Sequence, residues 1–331
     1  MAPSAESSQR HTSTAPAVVF IARHRAASPR RGLSLRQRTA LWGVAFIIIP
    51  LAFFLLVRIY PALVAFDVSL RDWNIMKFNK PYIGLKNYQR LAADDGFWNA
   101  ARNTVLYSAI IVPASLALGL LAASLIQLAN RARGAYRMVY FLPYITPTVA
   151  VSWVWRWLFF KNGGVLNQIL ISLGLTPQPF LQGLDQALLC VASVVVWQGL
   201  GYYIVIFLAG LEMVPHEYKE AATIDGASGW QVFRHVTLPL LNPTILFLAV
   251  LGTIRSLQIF TEIMNMTSGG SGAGDLGGPL GSTMSLVVYI YQTAFYQFKF
   301  GYASAMTVVL FAVILAITLV QMKLLNKPVE Y

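Results

Sequence analysis

The amino-acid sequence predicts an all-α integral membrane protein: six transmembrane helices with a cytoplasmic helix–turn–helix loop between the fourth and the fifth. Three observations carry this. Hydrophobic residues make up 56% of the 331 residues and charged residues only 11%, against about 25% charged in an average soluble protein. Six apolar runs come near the ~20 residues that a helix needs to cross a bilayer core. One long polar segment separates two of these runs and has a helical pattern of its own.

The chain opens with a basic tail, 1–40, that lacks apolar periodicity and is expected to be disordered. Its one apolar patch, AVVFIA, is too short for the core of a secretory signal. The first span, 41–57 and extendable to 65, therefore reads as an uncleaved signal anchor. The other spans are 104–129, 138–160 (interrupted by Arg156), 186–211, 240–261 (interrupted by Arg255) and 302–322. They form one membrane domain over 41–325, followed by a short segment, 326–331. A seventh uncharged stretch, 276–298, opens with LGGPLGST and continues as MSLVVYIYQTAFYQF. Its Gly, Tyr, Gln and Thr predict a Gly-rich loop and then a short interfacial or re-entrant helix rather than a crossing.

The formal charge is +12, but the basic residues gather at the ends of apolar runs. That pattern suits anionic lipid and not nucleic acid. Six spans put both termini on one side, and the positive-inside rule chooses the cytoplasm. This orientation places fourteen Lys and Arg inside and eight outside, with seven arginines in the tail nearest the first span. Those arginines read more simply as a topology signal than as a dedicated lipid site. Cys190 is the only cysteine, so no intrachain disulfide or cysteine metal site exists; inside an apolar run it reads as an inert buried thiol.

Two outside loops carry short helical patterns. Leu85, Tyr88 and Leu91 are spaced for a helix in IGLKNYQRL, and Val165, Leu166, Ile169, Leu170 and Leu173 make one stripe in GGVLNQILISLGL. Each suits a platform for an extracytoplasmic partner, and equally a helix that only packs on the bilayer or on the spans.

The polar segment VPHEYKEAATIDGASGWQVFRHVTLPLLNP, within 213–243, is the most informative. Pro215 can open a helix, since its missing N–H is spare in the first turn. Asp225-Gly226 is a turn dipeptide in which Gly226 takes positive φ. A second helix follows from Trp230 to Val236, with Trp230, Phe233 and Val236 spaced at three. The small residues Ala221, Ala222, Gly226 and Ala227 let a foreign surface approach, and Glu220 and Asp225 can meet basic groups. The plain alternative is an amphipathic hairpin that shields helix ends.

The string Glu220-Ala221-Ala222-x-x-Asp225-Gly226-Ala227, followed by Phe233, Leu238-Pro239 and Pro243, resembles the EAA loop of permeases in binding-protein-dependent ABC importers. Three further stretches resemble the sugar-importing branch: IGLKNYQRL with FWNAARNTVLYS, FLPYITPTVAVSWVWRWLFFKNGGVLN, and TSGG with YIYQTAFYQFKFGYASAM. The resemblance covers roughly 41–322 and leaves out the tail. GGSGAGDLGGPLGST is longer than the family's usual TxGGP loop. The resemblance implies the type I importer permease fold in a bacterial cytoplasmic membrane. It also implies a second homologous permease, two ATPase subunits and an extracytoplasmic solute-binding protein. The first helix of the loop would be the coupling helix, with Glu220 meeting the ATPase and Asp225 and Gly226 setting the turn. No cofactor would be bound by this chain, ATP and Mg being held by the ATPase partners.

The chain has no GxxxxGK[ST] phosphate loop, no HExxH and no CxxC, and none of its four histidines lies in a span. Gly272, Gly274 and Gly277 mimic part of a dinucleotide spacing, but no strand precedes them. No internal repeat supports a stand-alone secondary transporter, and no catalytic cluster supports a membrane enzyme. Polar groups within spans are costly, which makes them functional candidates. Helical spacing puts Arg255, Gln258 and Glu262 on one face, with Ser256 beside them. Trp155, Arg156, Trp197 and Tyr202 complete the substrate-path candidates. Amides, carboxylates and guanidinium groups pair with sugar hydroxyls, and aromatic rings stack on sugar C–H faces. Trp and Tyr also serve as plain interface anchors, and Arg255 and Glu262 can simply pair. Arg156 and Arg255 keep open an importer of glycerol 3-phosphate or a phosphodiester.

Overall fold

The structure, a computed structural model, describes residues 34–129, 133–268 and 276–325. The expectations for most of the tail, for Gly272 and Gly274, and for 326–331 lie outside the described residues. The chain divides into two units, 1–57 and 58–331. In the first, α1 (Leu35–Phe54) starts at Ser34, whose hydroxyl accepts from the Gln37 amide while the Gln37 side chain reaches back to the Ser34 N–H. This reciprocal cap fixes the start of the helix. Helical backbone continues to Ser69 through a π-turn over Leu55–Ile59 and α2 (Tyr60–Ser69).

The second unit holds the other long helices. They are α4 (Asp95–Leu128), α8 (Ala187–Met213) and α15 (Phe300–Leu325). With the helix ending at Ser69, four helices among the described residues are long and apolar enough to cross a membrane. Two bent pairs bring the number to six. One is α5 (Arg133–Ile145) with α6 (Thr148–Leu158), bent by 92°. The other runs over Gly229–Leu240 into α12 (Asn242–Leu257), bent by 65°.

These bends lie within or beside the spans expected over 138–160 and 240–261. Pro147 cannot donate to the helix ladder, and it disfavours α backbone at Thr146. The chain therefore turns there, with Pro147 at ψ 126° as the N-cap of α6. In the second pair, Pro239 and Pro243 flank Leu241, whose ψ of −4° marks the bend. Pro239 also has no N–H for the His235 carbonyl. The second helix of the loop is accordingly a single turn, α10 (Gly229–Val232), that widens into a π-turn over Phe233–Thr237 before α11 (Leu238–Leu240).

α8 is the central helix, packed along α4 and α5, while α12 lies between α4 and α15, and α15 against α2. α5 and α8 come close because Gly201 has no side chain: a Cβ there would run into the Tyr140 carbonyl. The main core joins Phe97, Tyr107, Ile111, Val191, Val194, Ile263 and Met306.

The short outer helices bury polar anchors as well as the apolar residues expected. In α3 (Lys86–Ala92) the buried pair is Asn87 and Leu91, and Leu85 stays 65% exposed. Asn87 Nδ2 donates to the Ser69 and Arg71 carbonyls at 2.8 and 3.0 Å. In α7 (Val165–Ser172) only Asn167 is buried. It bonds the Lys161 and Gln178 carbonyls and the Gln178 amide. Loop carbonyls that need donors, rather than apolar area, seat both helices.

The stretch 276–298 contains a short helix. α14 (Leu286–Tyr291) and the π-turn Gln292–Tyr296 follow a loop with positive φ at Gly277, Gly278, Leu280 and Gly281. Eleven helical residues reach only ~16 Å. Asp94 ties this end of the unit together. Its carboxylate caps α4 and accepts the hydroxyls of Tyr289 on α14 and Tyr302 on α15.

Candidate functional site

A cavity of about 280 Å³ opens among α4, α5, α6, α8 and α12. Two helix breaks build its wall. α12 ends at Leu257, and Gln258 to Phe260 leave the helix before α13 (Thr261–Met266). The Ile259 carbonyl, freed by that break, accepts the Ser285 hydroxyl at 2.7 Å. At the α5–α6 break the Thr146 carbonyl accepts from Gln198 Nε2 at 3.2 Å. Each break exposes backbone that a side chain from another helix then satisfies, as membrane depth requires.

Arg255, Ser256, Gln258 and Glu262 all line this cavity. Helical spacing is not what gathers them, because the helix stops between Gln258 and Glu262; the break itself turns them to one space. Arg255 and Gln258 are exposed and Glu262 half-buried. The Arg255 guanidinium sits 5.6 Å from the centre of the Tyr144 ring. Ser256 is buried, its hydroxyl donating to the Thr253 carbonyl and paired with the Ser108 hydroxyl, both at 3.0 Å.

Trp155, Arg156, Trp197 and Tyr202 lie off this cavity. Trp155 packs edge-on against Trp197 at 5.3 Å and stacks on Phe159. Tyr202 stacks on Tyr144 at 5.4 Å. Arg156 donates to the carbonyls of Asn265 and Ser268, closing the end of α13, and lines a separate cavity of about 410 Å³ with Lys161 and Thr267. The walls also include Gln198 and Tyr203, polar groups of the fourth span beside Trp197 and Tyr202, and Ser115, Tyr144 and Thr148, which were not among the path candidates. Thr146-Pro147 is the signal that could have found Thr148, since a proline after a β-branched residue marks a break in a polar-poor span.

The polar loop forms an exposed elbow. α9 (His216–Ile224) starts after Pro215, which is the N-cap with ψ 136° and not a first-turn residue. Asp225 is the C-cap and Gly226 has φ +83°. The Gly226 amide donates to the Thr223 carbonyl at 3.0 Å, and the Ala227 amide to the Ala222 carbonyl at 2.9 Å. This is the Schellman arrangement, with the left-handed residue directly after the cap. It accounts for four residues of the string at once: Gly226 for its φ, Asp225 for the cap, and Ala222 and Ala227 for their facing positions. Glu220 and Ala221 are exposed. Ile224 is 86% and Trp230 67% exposed, and Trp230 stacks on Phe233 at 5.6 Å. A polar elbow that shows this much apolar surface is built to be covered.

Apolar helices long enough to cross a membrane, a polar cavity lined by α4, α5, α6, α8 and α12, and an exposed elbow leading into α12 are the features of a membrane-embedded transport subunit. Residues 115–331 match the family described as binding-protein-dependent transport system inner membrane component. A probable ABC transporter permease of Pyrococcus horikoshii is 32% identical over 76% of this chain and 84% of its own length. The trehalose/maltose transport system permease protein MalF of Thermococcus litoralis is 31% identical over 87% of this chain and 95% of its own. The sn-glycerol-3-phosphate transport system permease protein UgpA of Agrobacterium fabrum is 30% identical over 82% and 90%. The fold is that of a subunit in the crystal structure of a bacterial ABC transporter involved in the import of alginate, with a TM-score of 0.76, 21% identity and coverage of 89% of this chain and 99% of that one. The chain belongs to the family of binding-protein-dependent ABC transporter permeases.

Proposed function

We propose that this chain is one permease subunit of an ABC importer for a neutral carbohydrate or polyol. The polar cavity carries the reading. It holds one guanidinium, one carboxylate, two amides and several hydroxyls, so it is balanced in charge and rich in paired donors and acceptors. Such a set suits a hydroxylated neutral solute. A phosphate or a uronic acid would call for surplus cations, and Arg156 lies in another cavity. This argues against the glycerol-phosphate reading despite the likeness to UgpA, while the relative named for trehalose and maltose supports a sugar. The cavity is just below the ~300–1,000 Å³ of typical ligand pockets, which fits one wall of a pathway completed by a second permease.

The elbow is the coupling device. Glu220, Ala221, Ala222, Asp225, Gly226 and Ala227 seat in an ATPase subunit on the cytoplasmic side, and two ATPase subunits hold ATP and Mg. The permease itself is non-catalytic. A solute-binding protein delivers the sugar from outside, both termini are cytoplasmic, and the complex sits in the cytoplasmic membrane. The test is uptake by the assembled complex in sealed vesicles. A labelled neutral sugar should enter only with ATP and binding protein; entry indifferent to ATP would overturn the reading.

A further inference from the structure

We propose that the chain binds the phosphate headgroup of an anionic glycerophospholipid in a basic pocket at the root of the elbow, with an acyl chain laid along α4. The pocket, of about 310 Å³, brings together Arg133 and Arg137 of α5, Glu212 at the end of α8, and His216 and Lys219 of α9, over the last turn of α4. Two arginines and a lysine thus face one carboxylate, and that carboxylate is engaged by Arg137 Nη2 at 2.8 Å. Arg133 is held in place by the carbonyls left over at the end of α4: Nε donates to Ala129 and Nη2 to Gln127, both at 2.7 Å. Arg137 Nε is buried and meets no acceptor. Lys219 has no ion pair among the described residues. A phosphate oxygen supplies what Lys219 lacks, and guanidinium forks suit phosphate geometry.

The neighbouring surface identifies the phosphate as part of a lipid. An apolar groove of about 470 Å³ runs beside the pocket, lined by Leu118, Leu121, Leu125, Tyr136, Tyr140 and Leu200. The groove's last residue on α4, Ala129, gives its carbonyl to Arg133 of the pocket, and on α5 the groove's Tyr136 lies between the pocket's Arg133 and Arg137, so the two meet at this end of the helices. From Leu118 to Leu128 the helix rises ~15 Å, half of the ~30 Å hydrocarbon core. Basic pockets between spans at this level take lipid headgroups. The headgroup bridges α5, α8 and the first turns of α9, so the lipid steadies the elbow where it leaves the membrane. That the leaflet concerned is the cytoplasmic one rests on the orientation proposed above; the pocket does not.

Native mass spectrometry of the assembled transporter, released from nanodiscs of phosphatidylcholine with a minority of phosphatidylglycerol, tests this. The wild type should retain phosphatidylglycerol in preference to phosphatidylcholine. Arg133→Gln with Arg137→Gln should lower the apparent affinity about 30-fold, about fivefold for each arginine. Lys219→Gln, a single change on an elbow helix, should lose about fivefold and covers a double variant that fails to assemble. Lys323→Gln, at the far end of α15, should behave as wild type. Equal phosphatidylglycerol retention in the wild type and in both pocket variants would overturn the proposal. So would displacement of the lipid by millimolar inorganic phosphate, which would define a soluble-anion site, and loss of ATPase co-purification with lipid retention unchanged, which would assign the cations to a protein interface. Labelling of Ser228→Cys in the same sample reads orientation separately: label entering from outside with lipid retained would overturn the cytoplasmic assignment and leave the pocket standing.

Discussion

At the scale of single residues, Gln258 and Asp94 carry opposite kinds of work. Gln258 ends α12, projects into the cavity, and is exposed there. Its amide holds no packing in place, so Gln258→Leu should leave assembly with the other subunits intact. Losing its hydrogen bonds to solute should weaken uptake by about 1 kcal/mol, roughly fivefold; transport kinetics in vesicles check this, and unchanged kinetics would remove Gln258 from the path. Asp94 holds structure. Burial opposes its ionised form, but the Tyr302 and Tyr289 hydroxyls and the Phe97 and Gly96 amides outweigh burial and keep its pKa below the usual carboxylate value. The sign follows directly. A carboxylate lowered on folding stabilises the protein above its unfolded pKa, about 3.9, and that stabilisation is lost as pH falls through the lower folded value. Thermal unfolding in detergent should therefore show an acid-dependent loss below about pH 4. Asp94→Asn should flatten that dependence and cost about 2 kcal/mol near neutrality, since bonds to a charged acceptor become bonds to a neutral one.

At the scale of elements, the elbow follows from its own sequence, whereas the cavity depends on contacts that the sequence does not display. Gly226 is legible because a turn dipeptide after a helix pattern demands positive φ, and the Schellman bonds of Gly226 and Ala227 are that demand met. The spans are legible because lipid tolerates no unpaired backbone over a ~30 Å core. The break at Gln258 contains no Pro or Gly and shows nothing in sequence. It persists because Ser285, far along the chain, takes the Ile259 carbonyl. The helical face expected for Arg255, Gln258 and Glu262 is cut by this break, and they share a cavity with Ser256 for another reason. The bend at Pro147 was present in the sequence but hidden by the apolar run around it. For the elbow the prediction is direct. Gly226→Asp forces a side chain into left-handed backbone, at about 1–2 kcal/mol, and adds charge beside Asp225. Insertion should be unaffected while ATP-driven uptake falls at least tenfold; full uptake in this variant would remove the turn from coupling.

At the scale of the whole molecule, α12 joins the two functional features. Its first residues follow the elbow through the bend at Leu241, and its last, Arg255 and Ser256, stand in the cavity wall. Sixteen helical residues span ~24 Å, so under the proposed coupling a push on the elbow would reach the cavity wall through one stiff rod. Such a lever works only if the elbow and the loop above the cavity face opposite compartments. Ser228 caps α10 on the elbow, and Leu280, 90% exposed, lies in the loop before α14. With each changed to Cys in a Cys190→Ala background, a membrane-impermeant maleimide should label Leu280→Cys in intact cells and Ser228→Cys only after the membrane is opened. Cys190 is buried, so its removal leaves the reactive surface unaltered. Labelling of both sites from outside, or of Ser228→Cys alone, would mean that the elbow cannot meet a cytoplasmic ATPase, and the transmission from elbow to cavity through α12 would have no motor behind it.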